Sequence, residues 1–145
     1  MEIIDRSFLG TGWSFPPTFR REWYGVEMLK EEADVHSSIG IILNTLSGER
    51  VMLPTFGCNL QPYVFEPMNP STIALIEKIV KEALVYHEPR IIVENIVSVP
   101  EPENGLLSIN IEYSIITTNT RYNYVYPFYM KEATNIEVYE TSMAK

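Results

Sequence analysis

Leu107-Ser108-Ile109-Asn110-Ile111-Glu112-Tyr113-Ser114-Ile115 alternates apolar and polar side chains without interruption. Successive side chains of a strand point to opposite faces, so this period of two gathers the five apolar residues on one side. The run predicts a strand over 106–118 with one buried face. Downstream, Thr118-Asn119-Thr120 supplies a tight hairpin connection, and Tyr122, Tyr124, Tyr126, Phe128 and Met130 alternate through a further strand over 121–130. Pro127 has no N–H to give a ladder, which places this strand at or near a sheet edge. Upstream, Ile91, Val93, Val97 and Val99 alternate in a strand over 91–99, joined by the rigid polar segment Pro100-Glu101-Pro102-Glu103-Asn104-Gly105. Three antiparallel strands with a common apolar face need a cover.

Two helices supply it. Val35, Ile39, Ile42, Leu43 and Leu46 recur at helical spacing over 34–46, with Asp34 as N-cap and Ser47-Gly48 as the stop. Gly40 lies inside this helix at a cost of about 1 kcal/mol against alanine, which a close packing partner would explain. Asn69 and Pro70 open a second helix over 70–87, with Ile73, Ile76, Val80, Ala83, Leu84 and His87 along one face. Leu75 and Ile79 widen that face, so this helix is expected to be the more buried of the two. Glu88, before Pro89, is biased to extended backbone and ends it. Between the helices, 49–68 reads as a compact connection, with Arg50-Val51-Met52-Leu53-Pro54 as a short edge strand, Phe56-Gly57 as a turn and Tyr63-Val64-Phe65 as a buried clip.

The first 30 residues hold no sustained period. Phe8-Leu9-Gly10-Thr11-Gly12-Trp13-Ser14-Phe15-Pro16-Pro17 sets bulky apolar side chains among glycines and prolines, which suit neither a helix nor a central strand. Phe8, Leu9, Trp13 and Phe15 predict an extended arm that docks on its own domain or on a neighbour. The expected fold class is α+β, two main helices packed on a small antiparallel sheet with an extended N-terminal arm. Its divisions are an arm or irregular lead-in over 1–30, a main domain over 31–130 and a tail over 131–145, with Ile136-Glu137-Val138-Tyr139 as a short strand or tail.

Composition narrows the function. The 145 residues fit one domain, and 46% apolar with 21% charged residues is ordinary for a globular chain. A net charge of −8 with scattered basic residues argues against nucleic acid as a partner. No signal peptide opens the chain and no apolar run is long enough to cross a bilayer, so a cytoplasmic, non-membrane protein is expected. Cys58 is the single cysteine and has no nearby base, so it reads as a structural thiol.

The usual marks of catalysis are absent. His36 and His87 lack metal-ligand spacing, and no Walker loop, dinucleotide fingerprint, zinc motif or nucleophile elbow occurs. No metal, cofactor or catalytic residue is therefore expected. Nineteen acids allow many chance pairs, so a glycosidase pair has no specific support. The unusual constellation is Glu88-Pro89-Arg90 at a helix–strand junction, either a helix stop with an ion pair or a rigid clip presenting an acid and a base to a partner.

In order along the chain stand Phe8-Leu9-Gly10, Gly12-Trp13-Ser14-Phe15-Pro16, Ile41-Ile42-Leu43-Asn44-Thr45 and Gly48-Glu49-Arg50-Val51-Met52-Leu53-Pro54. Phe56-Gly57-Cys58, Leu60 through Phe65-Glu66-Pro67, Glu88-Pro89-Arg90 and Tyr126-Pro127-Phe128-Tyr129 follow. The ordered set resembles the baseplate wedge and sheath-initiator family of contractile tails. This lysozyme-like baseplate family is shared by contractile phages, type VI secretion and extracellular contractile injection particles. Residue 11, often basic in relatives, is Thr here, and 131–145 lies outside the resemblance.

The resemblance implies a structural, non-enzymatic baseplate component, assembled in the cytoplasm and then carried in the particle, with six copies in a ring. Its implied partners are the sheath protein and the wedge proteins, with tube or spike and hub proteins beyond them. It assigns wedge binding to Glu88, Pro89 and Arg90. It assigns sheath binding to Asn119, Arg121, Tyr122, Asn123, Tyr124, Val125 and Tyr126, where a sheath arm would add as a strand. The 136–139 segment is the second candidate acceptor. The competing reading, from the family label, is a peptidoglycan-cleaving enzyme.

Overall fold

The computed structural model describes residues 9–22 and 24–129. Phe8, Met130 and the segment 131–145, with its 136–139 run, lie outside the described residues. Strands β1 (Thr11–Trp13), β2 (Phe19–Arg20), β3 (Gly25–Val26) and β4 (Met28–Lys30) come first. Helices α1 (Glu31–Asn44) and α2 (Pro70–His87) follow, then β5 (Ile91–Glu101), β6 (Leu106–Ile115) and β7 (Thr120–Tyr129). The last three form one antiparallel sheet in the order β5-β6-β7, and the helices cover its inner face, as the α+β pattern requires.

The central strand behaves as its alternation predicts. Leu107, Ile109, Ile111, Tyr113 and Ile115 are all buried, and they meet Val35, Ile39, Ile42 and Leu43 of α1 and Ile76, Val80 and Leu84 of α2 in one core. The strand stops at Ile115 rather than 118. Residues 116–119 make a four-residue turn in which Asn119 N–H donates to the Ile115 carbonyl at 2.8 Å, and Asn119 takes the left-handed conformation with φ 51°. Asparagine tolerates that region better than most residues.

In β5 the expected alternation breaks. Ile91 and Val93 are buried, but Val97 and Val99 face solvent and the half-buried Ile96 takes the inner position. The register shifts between Val93 and Asn95 through a β-bulge, and one inserted residue exchanges the faces of everything after it.

Helix α2 has the expected bounds, with Asn69 Oδ1 accepting from Thr72 N–H at 2.8 Å as a cap. Leu75 lies exposed, however, and α1 rather than α2 carries the denser buried stripe. Helix α1 begins at Glu31, three residues ahead of the expected start, with Glu31, Glu32 and Asp34 in its positive first turn. Asp34 is not its cap. The helix ends at Asn44, before Gly48, where the Asn44 amide and Thr45 hydroxyl donate to the Gly40 and Ile41 carbonyls at 2.7 and 2.6 Å. Such side chains compete for the last backbone acceptors and terminate helices.

The connection differs from expectation in two places. Residues 50–54 turn rather than pair as a strand, leaving Val51 and Met52 in solvent. Of the Tyr63-Val64-Phe65 clip only Tyr63 and Val64 pack on the core, because a 3-10 turn at Gln61–Tyr63 swings Phe65 outward. The described part of the lead-in is more regular than its sequence suggests. β1 pairs with β4 and β2 with β3 as two short antiparallel ribbons, the first of them packed beside α1.

Candidate functional site

Two features distinguish this surface, a charged cluster at the α2–β5 corner and the outer edge of β7. The corner is built by chain geometry. Pro89 stops α2, and Arg90 turns back beneath it. Its Nε donates to Glu88 Oε1 at 2.7 Å and its Nη2 to Glu88 Oε2 at 2.8 Å, a two-point fork. Its Nη1 donates to Asp34 Oδ2 and to the Leu9 carbonyl, both at 2.8 Å. One guanidinium thus joins the N-terminal segment, the first turn of α1 and the start of β5.

Glu88 is only 2% exposed. Burial raises its carboxyl, but hydrogen bonds from Arg90 and Ser38 and the Arg90 charge outweigh that and hold it below its ordinary value. Arg90 is correspondingly raised, first by its hydrogen bond to Glu88. The bidentate grip expected toward a partner is therefore closed inside the chain, and Pro89 is the exposed member of the three. Asp34, which local sequence marks as a helix cap, is the third member of the cluster. Gly12 completes it, since a Cβ at that position would collide with the Asp34 carboxylate.

The β7 edge follows from backbone polarity. Ile116 N–H donates to the Arg90 carbonyl at 3.0 Å, so even-numbered residues of β6 turn their backbone groups to β5 and odd-numbered ones to β7. By register, Tyr122, Tyr124, Tyr126 and Phe128 bond to β6, while Arg121, Asn123, Val125, Pro127 and Tyr129 turn outward. Among the described residues nothing pairs with those outward groups. Pro127 occupies an outward position, where its missing N–H costs no internal bond.

The opposite edge is guarded. The outward Ser98 N–H of β5 donates to Glu77 Oε1 of α2 at 2.9 Å, Pro100 lacks an N–H, and the bulge bends the strand. Glu77 carried no signal in the sequence, because its role depends on α2 lying over β5.

The expected sheath-contact residues divide by face. Arg121, Asn123 and Val125 present open donors, and Arg121 also pairs with Glu94 at 3.2 Å across the outer sheet face. The rings of Tyr122, Tyr124 and Tyr126 turn inward, and Asn119 closes the hairpin. Tyr124 lies against His36, with ring centroids 4.5 Å apart, and Tyr126 Oη reaches the Leu43 carbonyl at 3.4 Å. Burial pushes the Tyr126 hydroxyl up to about 12. Gly40 is accounted for here, since a Cβ would come 2.8 Å from Tyr124 Oη. Of the expected docking residues, Leu9 is buried, whereas Trp13 and Phe15 are 64% and 58% exposed.

Among the described residues no group of three or more His, Cys, Asp or Glu could hold a metal, and no helix is long and apolar enough to cross a membrane.

The profile of the family described as baseplate wedge protein gp25 matches residues 29–120. The baseplate wedge protein gp25 of Enterobacteria phage T4 is 32% identical over 92 residues, 57% of this chain and 70% of that one. A solved structure from Geobacter sulfurreducens, provisionally named a tail lysozyme, is 49% identical, with a TM-score of 0.67 over 74% of this chain and all of the other. A chain in the baseplate of the anti-feeding prophage shares the fold at 21% identity, with a TM-score of 0.65 over 97% and 98% of the two chains. A chain in the postcontracted pyocin R2 baseplate shares it at 19% identity, with a TM-score of 0.50 over 78% and 97%. The chain belongs to the gp25 baseplate wedge protein family of contractile injection systems.

Proposed function

We propose that this baseplate component starts sheath assembly by accepting an extended arm of the sheath protein as an added strand on the outer edge of β7. The observation that carries the reading is the row of outward N–H groups at Arg121, Asn123 and Val125, beside an opposite edge closed by Glu77 and Pro100. An open edge is a template for strand addition. Each backbone hydrogen bond contributes about 1 kcal/mol net, so one short strand binds modestly. Six copies in a ring multiply that through effective concentration. The corner at Pro89, held rigid by the Arg90 cluster, is the wedge-facing surface in this reading. Glu88 shapes it from within, and the exposed Trp13 and Phe15 are covered by a neighbour in the particle. The subunit would assemble from the cytoplasm, with tube or spike and hub proteins as further neighbours.

The test replaces Val125 by proline. Circular dichroism should show a folded domain, wedge binding should persist, and sheath growth from baseplates should fail by electron microscopy. Normal sheath growth from the folded variant would refute the reading.

The Geobacter relative's name favours a second reading, peptidoglycan cleavage. Glu94 and Glu112 do line one shallow hollow of about 340 Å³. A general acid must be kept protonated by its surroundings. Glu94 is instead paired with Arg121, and Glu112 is exposed. Clearing of peptidoglycan by the purified chain, lost in Glu94→Gln or Glu112→Gln, would establish the enzyme.

A further inference from the structure

Two cavities lie on the inner side of the β7 edge. The first, about 320 Å³, is walled by Phe15 and Leu29 of the N-terminal segment, floored by Ala33, Ser37 and Gly40 of α1, and closed by Tyr124. The second, about 360 Å³, lies between Leu43 and Leu60 at depth, with Tyr126 and Phe128 on its strand side and Glu49 and Gln61 at the rim. Neither is bordered by β5 or β6, so β7 is the sheet strand beside both. Tyr124 and Tyr126 are two residues apart on one face, about 6.6 Å along the strand.

That spacing is the period of a β-strand. A strand laid on the β7 edge bonds to the outward groups of Asn123 and Val125. Its residues opposite Tyr124 and Tyr126 then sit in the non-hydrogen-bonded positions, where side chains approach most closely. Those two side chains point inward, toward the two cavities. The floor of the first is unusually low because three small residues, at 33, 37 and 40, succeed one another along α1. His36 and Asn44 add polar groups to the lining, but Ser37 Oγ is covered by the protein itself, so Phe15, Leu29, Ala33 and Gly40 give the cavity its apolar character.

We infer that the arm seated on β7 is read by its side chains as well as its backbone, through two inward residues spaced i, i+2. The residue opposite Tyr124 is a bulky apolar anchor in the Phe15–Ser37–Tyr124 cavity, and the next inward residue fills the Leu43–Leu60–Tyr126 cavity. This rests on the strand-addition reading and adds a specificity rule to it. Backbone bonds alone would accept many extended segments, whereas alternate pockets select a sequence. The intervening residue faces Val125 on the outer side and is free to vary.

The probe is a set of overlapping synthetic peptides spanning the sheath subunit of the same particle, titrated against the full chain. One peptide should bind. Alanine at either of two positions i and i+2 should weaken it about tenfold or more, while alanine between them has little effect. Ser37→Leu, which fills the first cavity from its floor, should weaken the peptide comparably while thermal melting shows a folded domain. Ser37→Cys should form a disulfide with a cysteine at the anchor position and not with one at its neighbours. If Val125→Pro binds the peptide normally, the underlying edge reading fails. If Val125→Pro abolishes binding but Ser37→Leu binds like the parent, the edge stands and the pocket rule is wrong. Ser37→Cys crosslinking to Val138→Cys of the same chain without peptide would make the occupant the chain's own end and overturn the proposal.

Discussion

Arg90 Nη1 donates to Asp34 Oδ2 at 2.8 Å, tying the start of β5 to the first turn of α1 across 56 positions of sequence. The same guanidinium holds the buried Glu88 in a fork and the Leu9 carbonyl beyond it. The Glu-Pro-Arg corner is thus a structural fastening, and its substitutions report on folding.

Arg90→Ala should destabilise the domain by about 3 kcal/mol, because it leaves the Glu88 carboxylate buried without its cation. Urea denaturation of the purified chain measures this. An unchanged midpoint would mean that the cluster contributes little. Loss of wedge binding must accordingly be read against the melting curve.

The acid limb of stability should be steep and should depend on Glu88. Its carboxyl lies below its ordinary value in the folded chain, so the unfolded chain takes up the proton first as pH falls. The stabilisation is complete above the ordinary glutamate value of about 4.3 and is lost as pH drops through it toward the folded value. Denaturation midpoints from neutral pH to about pH 3 should show this loss, and Glu88→Gln should flatten it. An identical pH profile for that variant would contradict the assignment.

Neighbouring prolines in β7 should have opposite costs. Tyr124 N–H bonds to β6, so Tyr124→Pro should cost about 3 kcal/mol or more. Val125 N–H faces outward like the position of Pro127, so Val125→Pro should cost no more than about 1 kcal/mol. Equal losses for the two variants would show that the backbone polarity of β7 is assigned wrongly.

Cys58 should be inert in the folded chain. Burial pushes its thiol up to about 12, which leaves almost no thiolate at neutral pH. A disulfide reagent should label it only after denaturant unfolds the domain. Rapid labelling of the native chain would contradict its burial.

The sequence by itself determined the elements whose signals are local. The alternation from Leu107 to Ile115 specifies a half-buried strand, Asn69-Pro70 specifies where α2 starts, and Pro127 specifies an edge, each through the backbone of a few neighbouring residues. The ordered motifs also sufficed for the family. Only the tertiary structure decided which way groups face. The bulge after Val93 exchanges the sides of Ile96 and Val97, and no local pattern announces the inserted residue. Asp34 reads as a cap until Arg90 arrives from the far end of the chain. Glu77 reads as a surface acid until α2 lies over β5 and turns it onto Ser98. Pro127 marks β7 as an edge strand, but only the sheet order shows that β6 lies on its one side and that no strand among the described residues lies on the other.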